Sequence, residues 1–193
     1  MKIVILIIIV FSGLVVIISL NYNRVMGIAS LGYKKLVIKG DPKFVDQISQ
    51  ALVLLKEKAP EAYDMVNEYA VKIEQSKRSG MAPFKIPPIM FLSDETIYYS
   101  LTWCAGAIAH EAFHSKLYHE YKKKHPWRVW QIPPEVWISF EAERKCLKYQ
   151  LEVLKKINAP IHEINYVASG DGTHGDLNGD GKVDMKDQQL RYW

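Results

Sequence analysis

The first apolar segment of the chain contains no charge. From Ile3 to Leu20 it is broken only by Ser12, Gly13 and Ser19. This length meets the requirement of about 20 residues for a helix that crosses a bilayer. We therefore predict a transmembrane helix within residues 1–22, followed by a stalk over 23–35. A cleaved signal segment is the alternative, which would make the protein secreted.

After the stalk, apolar positions recur at the spacings of short strands and amphipathic helices. Asp41 before Pro42 predicts a helix start, because aspartate accepts hydrogen bonds from the first free amides and proline has the backbone angle of a first helical residue. In order, the predicted elements are a strand over 36–38, helices over 42–58 and 60–73, a loop over 76–83, strands over 87–92 and 96–99, and helices over 101–119 and 135–158. They predict a small α+β domain spanning 36–167.

Composition excludes several classes of protein. At 193 residues, the chain has room for one compact domain with appendages. It is 49% hydrophobic and 24% charged, which is typical of globular proteins and not of disordered or collagen-like chains. The net charge of +4 is mild, and no basic module predicts nucleic acid as a partner. Two cysteines are too few for a disulfide scaffold.

The helix predicted over 101–119 contains a pattern that indicates metal chemistry. His110 and His114 are four residues apart, so they project from one face on successive turns and could hold one metal ion. Glu111 follows the first histidine, which completes the HExxH pattern of zinc peptidases. The alternative is a helix whose histidines face solvent. Flanking residues such as Ile108 and Ala112 favour a buried helix, where unpaired imidazoles would be costly.

A zinc ion needs a third protein ligand, and the helix over 135–158 offers two glutamates. At about 100° per residue, Glu143 shares its helix face with apolar residues such as Phe140 and Leu147. Glu141 lies instead among Arg144 and other charged residues. Since a carboxylate on an apolar face needs a partner, we predict Glu143 as the third ligand, with Glu141 as the fallback.

His110-Glu111-Ala112-Phe113-His114, followed by Glu143, makes residues 86–158 similar to a gluzincin-type zincin. Leu117 and Glu120 stand where the metzincin extension requires glycine and histidine, which excludes that subclass. The resemblance implies a short antiparallel sheet, an active-site helix and a glutamate helix. It also implies an edge strand that binds substrate backbone, for which 90–92 and 96–99 are candidates.

The same resemblance implies a mechanism. Zinc would activate a water molecule and polarise the scissile carbonyl group, and Glu111 would be the general base. A tyrosine or histidine would stabilise the oxyanion. The candidates for this role are Tyr98, Tyr99, His162 and Tyr166.

The segment over 168–193 contains a second metal pattern, which resembles a single dockerin or EF-hand calcium loop. Oxygen ligands fall at positions 1, 3, 5, 7, 9 and 12 of the loop, and Gly181 at position 6 permits its sharp turn. These ligands are Asp176, Asn178, Asp180, the Lys182 carbonyl group, Asp184 and Asp187. The alternative is a flexible acidic tail. Dockerins carry two such repeats and this chain has one, so the sequence does not decide whether the tail binds a docking partner.

Two functions follow from these patterns. The first is a membrane-anchored, extracytoplasmic zinc metallopeptidase that acts on a peptide or protein substrate. The second is a non-enzymatic surface or assembly protein with a structural or vestigial zinc site and a calcium-binding tail. Cys104 and Cys146 could form a disulfide if the two metal-binding helices abut, and the sequence leaves that pairing open.

Overall fold

The computed structural model of the protein describes residues 4–11, 14–21, 36–128 and 132–190. Its main sheet has four strands: β3 (Val37–Lys39), β4 (Lys72–Ser76), β5 (Gly80–Ala82) and β6 (Ile89–Ser93). The strand order is β3-β4-β6-β5, with β3, β4 and β6 parallel and β5 antiparallel to β6. The predicted antiparallel sheet is therefore wrong, because the two helices between β3 and β4 form a crossover that returns the chain in the same direction.

One of the two edge strands comes from a segment that the sequence analysis assigns to a loop. β5 lies at this edge and β3 at the other, whereas β6 lies between β4 and β5. Neither predicted edge strand is correct, since residues 90–92 belong to the internal β6 and residues 94–97 form the short helix α3 (Asp94–Ile97). The Ser93 side chain accepts a hydrogen bond from the Thr96 amide, which favours a helix start over a strand.

Two helices lie between β3 and β4 in the chain. In α1 (Pro42–Lys58) the Asp41 side chain accepts a hydrogen bond from the Phe44 amide at 2.8 Å, as the predicted cap requires. Helix α2 (Pro60–Tyr69) ends earlier than predicted, because the chain enters β4 two residues after Ala70. The predicted start of each helix is confirmed.

The metal-binding pattern lies on a long central helix. α4 (Leu101–Lys124) packs against α1, α2 and α5 (Phe140–Lys156). A Cβ atom at Gly106 would lie 2.8 Å from a Leu154 methyl carbon, so glycine permits the close approach of α4 and α5. Helix α5 begins later than predicted, because a 3-10 turn over Pro134–Val136 precedes it. The chain continues through α6 (Ile161–Ala168), a 3-10 turn over Thr173–Gly175 and α7 (Met185–Gln189).

The N-terminal apolar segment differs from its predicted form. Val4–Phe11 (β1) and Leu14–Asn21 (β2) are antiparallel strands, paired from Val4 with Asn21 to Phe11 with Leu14. The high content of valine and isoleucine, whose branched side chains favour strands, is the physical reason for this difference. Among the described residues, no helix combines the length and the apolar composition that a membrane span requires. The predicted stalk over 23–35 lies outside them.

Candidate metal centre

His110 and His114 are held so that their Nε2 atoms face one another on the buried side of α4. These two atoms lie 3.1 Å apart, and both side chains are almost inaccessible to solvent. The Nδ1 atom of His110 donates to Gln150 Oε1 at 3.0 Å, and Nδ1 of His114 donates to the Trp137 carbonyl oxygen at 2.6 Å. Because each Nδ1 is engaged as a donor, Nε2 is the ring nitrogen of each histidine that is directed at the space between the rings and can bind a metal.

Glu143 brings a carboxylate oxygen to the same point from the first turn of α5. Its Oε2 atom lies 3.3 Å from His110 Nε2 and 3.4 Å from His114 Nε2. The side chain is 2% exposed, and Oε2 is buried without a hydrogen-bond partner. A tetrahedral zinc ion with bonds of about 2.0–2.1 Å separates its ligand atoms by about 3.3 Å. The donor set and the orphaned oxygen therefore fit a zinc ion.

The fallback residue Glu141 is remote from this point. Its side chain is 62% exposed and forms surface ion pairs with Arg144 and Lys145. This placement agrees with the sequence analysis, which assigns Glu143 to the apolar face of the helix and Glu141 to the charged face.

The pKa values of His114 and Glu143 in this cluster are strongly shifted from their usual ranges. Burial alone would lower the pKa of His114, but the neighbouring Cys146 and Glu143 outweigh it and raise that pKa well above its usual range. Burial would likewise raise the pKa of Glu143, but the imidazoles of His114, His110 and His174 hold it well below its usual range. The carboxylate is thus charged, as a metal ligand must be.

Glu111 lies beside the metal-binding atoms without joining them. It is buried, and it lines a cavity of about 360 Å³ together with His110, Glu143, Gln150 and other residues. A carboxylate on the wall of this cavity can exchange a proton with a molecule held at the metal point.

Cys146 lies close to the histidine pair. The Cys146 Sγ atom and ligand nitrogens of His110 and His114 all fall within 4.8 Å of one another. Burial raises the pKa of this thiol to about 11, although the neighbouring His114 acts to lower it. The sequence analysis does not propose it as a ligand. Cys104 and Cys146 are both buried and free, so the considered disulfide is not formed.

A third histidine, His174, reaches the site from the tail and was not predicted. Its Nε2 atom lies 3.1 Å from Glu143 Oε2, and its side chain is 48% exposed. Ligand atoms of His110, Glu143 and His174 lie within 4.8 Å of one another. No spacing relates His174 to the HExxH pattern, and only the folded position of the tail brings it there.

The four candidates for oxyanion stabilisation lie outside the cavity that Glu111 lines. Tyr99, His162 and Tyr166 line an adjacent cavity of about 540 Å³. Tyr166 also lines a third cavity, of about 340 Å³, which it shares with His174 and Gln150. Tyr98 instead packs under the Lys43 ammonium group, which lies 4.0 Å from the centre of its ring.

The predicted calcium loop is folded around its own carboxylates. Buried Asp187 accepts hydrogen bonds from the amides of Leu177, Asn178 and Asp184 at 2.8–3.1 Å. Asp176 accepts from the amides of Gly179, Asp180 and Gly181. Gly181 has φ of 80°, the turn predicted for position 6.

The remaining predicted calcium ligands also make contacts within the loop. Asn178 accepts a hydrogen bond from the Asp180 amide, Asp180 from the Lys182 amide, and Asp184 from the Lys186 amide. Over the described part of the chain, the groups of ligand atoms gathered within 4.8 Å involve the histidine cluster and not the acidic residues of this loop.

Comparisons with protein families, with curated proteins and with solved structures return no match. A function for this protein must therefore be argued from the site itself.

Proposed function

We propose that this protein is a zinc-dependent metallopeptidase that hydrolyses peptide bonds. One observation carries the proposal: donor atoms of His110, His114 and Glu143 lie 3.1–3.4 Å apart, beside a cavity that Glu111 lines. Three protein donors with an adjacent carboxylate are typical of hydrolytic zinc sites.

Each residue has a distinct part in the proposed reaction. Zinc, when bound, lowers the pKa of a coordinated water and polarises a carbonyl oxygen. His110, His114 and Glu143 hold the ion, while Gln150 and the Trp137 carbonyl group fix the orientation of the two imidazoles. Glu111 accepts a proton from the attacking water and returns it to the departing amine nitrogen.

The experiment is the substitution Glu111→Gln in the full-length protein, purified in detergent. We expect about one zinc ion per chain, as in the unsubstituted protein, because Glu111 is not a ligand. Hydrolysis of a quenched peptide should fall by about 100- to 10,000-fold, the usual contribution of a general base. Glu120→Gln is the matched control, since Glu120 is on the same helix and pairs with Lys116. Unchanged hydrolysis in Glu111→Gln would remove the catalytic assignment.

The second candidate function is a non-enzymatic protein with a structural zinc site. The observation that favours it is the fourth donor, His174, because structural zinc sites are closed by four protein ligands. The same experiment separates the two, since a purely structural site predicts full zinc content and no peptide hydrolysis even with Glu111 in place.

For the tail we retain the corresponding proposal. The loop over 176–187 would bind calcium in a compartment where that ion reaches about millimolar levels. Such levels are extracellular, so we also propose an extracytoplasmic protein whose partner is a peptide or protein substrate.

A further inference from the structure

The position of His174 is set by the backbone of the tail. A Cβ atom at Gly175 would lie 2.9 Å from Glu143 Oε1 and 2.9 Å from a Val183 methyl carbon. At Gly172, with φ of 91°, a Cβ atom would lie 3.0 Å from the Phe140 carbonyl oxygen. The segment over 172–175 is thus pressed against the first turn of α5, where only glycine fits at both ends.

This packing directs the imidazole of His174 at the metal point. Its Nε2 atom is 3.1 Å from Glu143 Oε2, a separation like those among the other donor atoms. Its ring centre lies 5.7 Å from that of His110. Its half-exposed side chain covers the cluster from the solvent side, whereas His110, His114 and Glu143 are buried.

Glu143 Oε2 is a second, independent sign that a cation belongs among these donors. The atom is buried without a hydrogen-bond partner, and imidazole nitrogens of three histidines lie within 3.4 Å of it. A tetrahedral ion held by His110, His114 and Glu143 has one remaining position.

We propose that His174 occupies that position as a fourth protein ligand, so that the resting site is closed and the tail must move before a substrate can bind. The inference rests on the proposed zinc site and adds a regulatory state to it. Leu177 lines the same cavity as His110 and Glu111, so displacement of the tail would uncover both the metal and the general base.

The test uses the full-length protein in detergent with Co²⁺ as the bound metal and acetohydroxamate as the probe. The visible spectrum of Co²⁺ changes when an external ligand enters its coordination sphere. In the unsubstituted protein we expect little response. In His174→Ala we expect a spectral change and acetohydroxamate binding that is about tenfold tighter or more, because a position has opened.

Two further variants test whether the response depends on the position of the His174 imidazole. His125→Ala is the matched control, because His125 stacks on Tyr121 and lies outside both histidine clusters. Gly175→Val retains the imidazole but should push it from the metal, because its side chain would collide with Glu143 and Val183. It should therefore respond to acetohydroxamate as His174→Ala does. Circular dichroism checks that each variant is folded.

The outcomes separate this inference from the proposed function. Equal responses in the unsubstituted protein and in His174→Ala would overturn the closed site and leave the zinc site standing. A strong response in the unsubstituted protein, with hydrolysis lost in His174→Ala, would make His174 a catalytic residue and also overturn closure. Failure of the folded, unsubstituted protein to bind either Co²⁺ or Zn²⁺ would overturn both proposals.

Discussion

At the scale of single residues, the orientation of the two imidazoles depends on partners that do not contact the metal. Gln150 Oε1 accepts the Nδ1 proton of His110, and both groups are buried. Gln150→Leu should lower zinc affinity by about 10- to 100-fold, which is typical of losing such a partner. Competition with a zinc-buffering chelator measures the change.

Gln150→Glu is the informative companion to that variant, since it keeps an acceptor for the same proton and should retain tight zinc binding. The exposed Glu152, on the same helix, provides the control Glu152→Gln. Equal affinity in Gln150→Leu and the unsubstituted protein would contradict the orienting role.

The identity of the third ligand can also be tested one residue at a time. Glu143→Ala should abolish or sharply weaken zinc binding, because it removes the carboxylate oxygen that lies 3.3 Å from His110 Nε2 and 3.4 Å from His114 Nε2. Cys146→Ala should retain about one zinc per chain, because the proposed donors His110, His114 and Glu143 are all kept. Elemental analysis measures the zinc content of both variants, with Glu141→Ala as the surface control, and so identifies the third ligand. Zinc lost only from Cys146→Ala would assign the metal to the alternative His110, His114 and Cys146 cluster.

What the sequence predicts at this scale depends on whether the signal is local. Glu143 is identified because helical periodicity alone separates it from Glu141. Cys146 is one turn further along the same helix. Because cysteine is common in apolar cores, its position on the apolar face does not indicate a metal ligand. His174 is 31 positions beyond Glu143 in the sequence, and only tertiary packing joins them.

At the scale of elements, caps and long helices follow from the sequence, whereas short strands do not. The Asp41 cap and the start of α4 depend on neighbouring residues, and both are confirmed. The apolar positions at 71–73 fit a helix or a strand equally well, and pairing with β3 and β6 decides for a strand. β5 has three residues, too few for any periodicity, and forms because β6 is available beside it.

The predicted calcium loop over 176–187 should make the stability of the folded protein depend on calcium. Sites of this kind in extracellular proteins bind calcium with Kd of about 0.1–1 mM, so 10 mM Ca²⁺ should stabilise the folded protein by about 1–3 kcal/mol. The melting temperature should then rise by several degrees, measured by scanning calorimetry against the same concentration of Mg²⁺. Asp180→Ala should abolish the rise, because it removes the ligand at position 5.

Asp64→Ala is the matched control for this variant, because Asp64 is an exposed carboxylate on α2 and should leave the calcium response intact. An equal rise with Ca²⁺ in Asp180→Ala and in the unsubstituted protein would show that the loop is not the calcium site.

At the scale of the whole molecule, the proposed metal point joins parts of the chain that are distant in sequence. Helices α4 and α5 supply three of its donors, and the tail after α6 supplies the fourth. Glu163 on α6 links that helix to the start of α4, because its carboxylate accepts hydrogen bonds from the hydroxyl groups of Ser100 and Thr102. The sequence analysis begins the tail at residue 168, and the contact of His174 with Glu143 brings that segment to the site.

Protons compete with the metal for this site, which makes zinc affinity depend on pH. In the metal-free protein the pKa of His114 lies well above its usual range, because Cys146 and Glu143 outweigh the effect of burial. Zinc can bind its Nε2 atom only after that proton leaves. Affinity should therefore keep rising through and above neutral pH, by about tenfold per pH unit for each proton displaced, and fall as the pH is lowered. Competition titrations at several pH values measure this slope, and calorimetry in buffers of different ionisation enthalpy counts the protons released. The absence of proton release at neutral pH would contradict a His114 that is protonated in the metal-free protein.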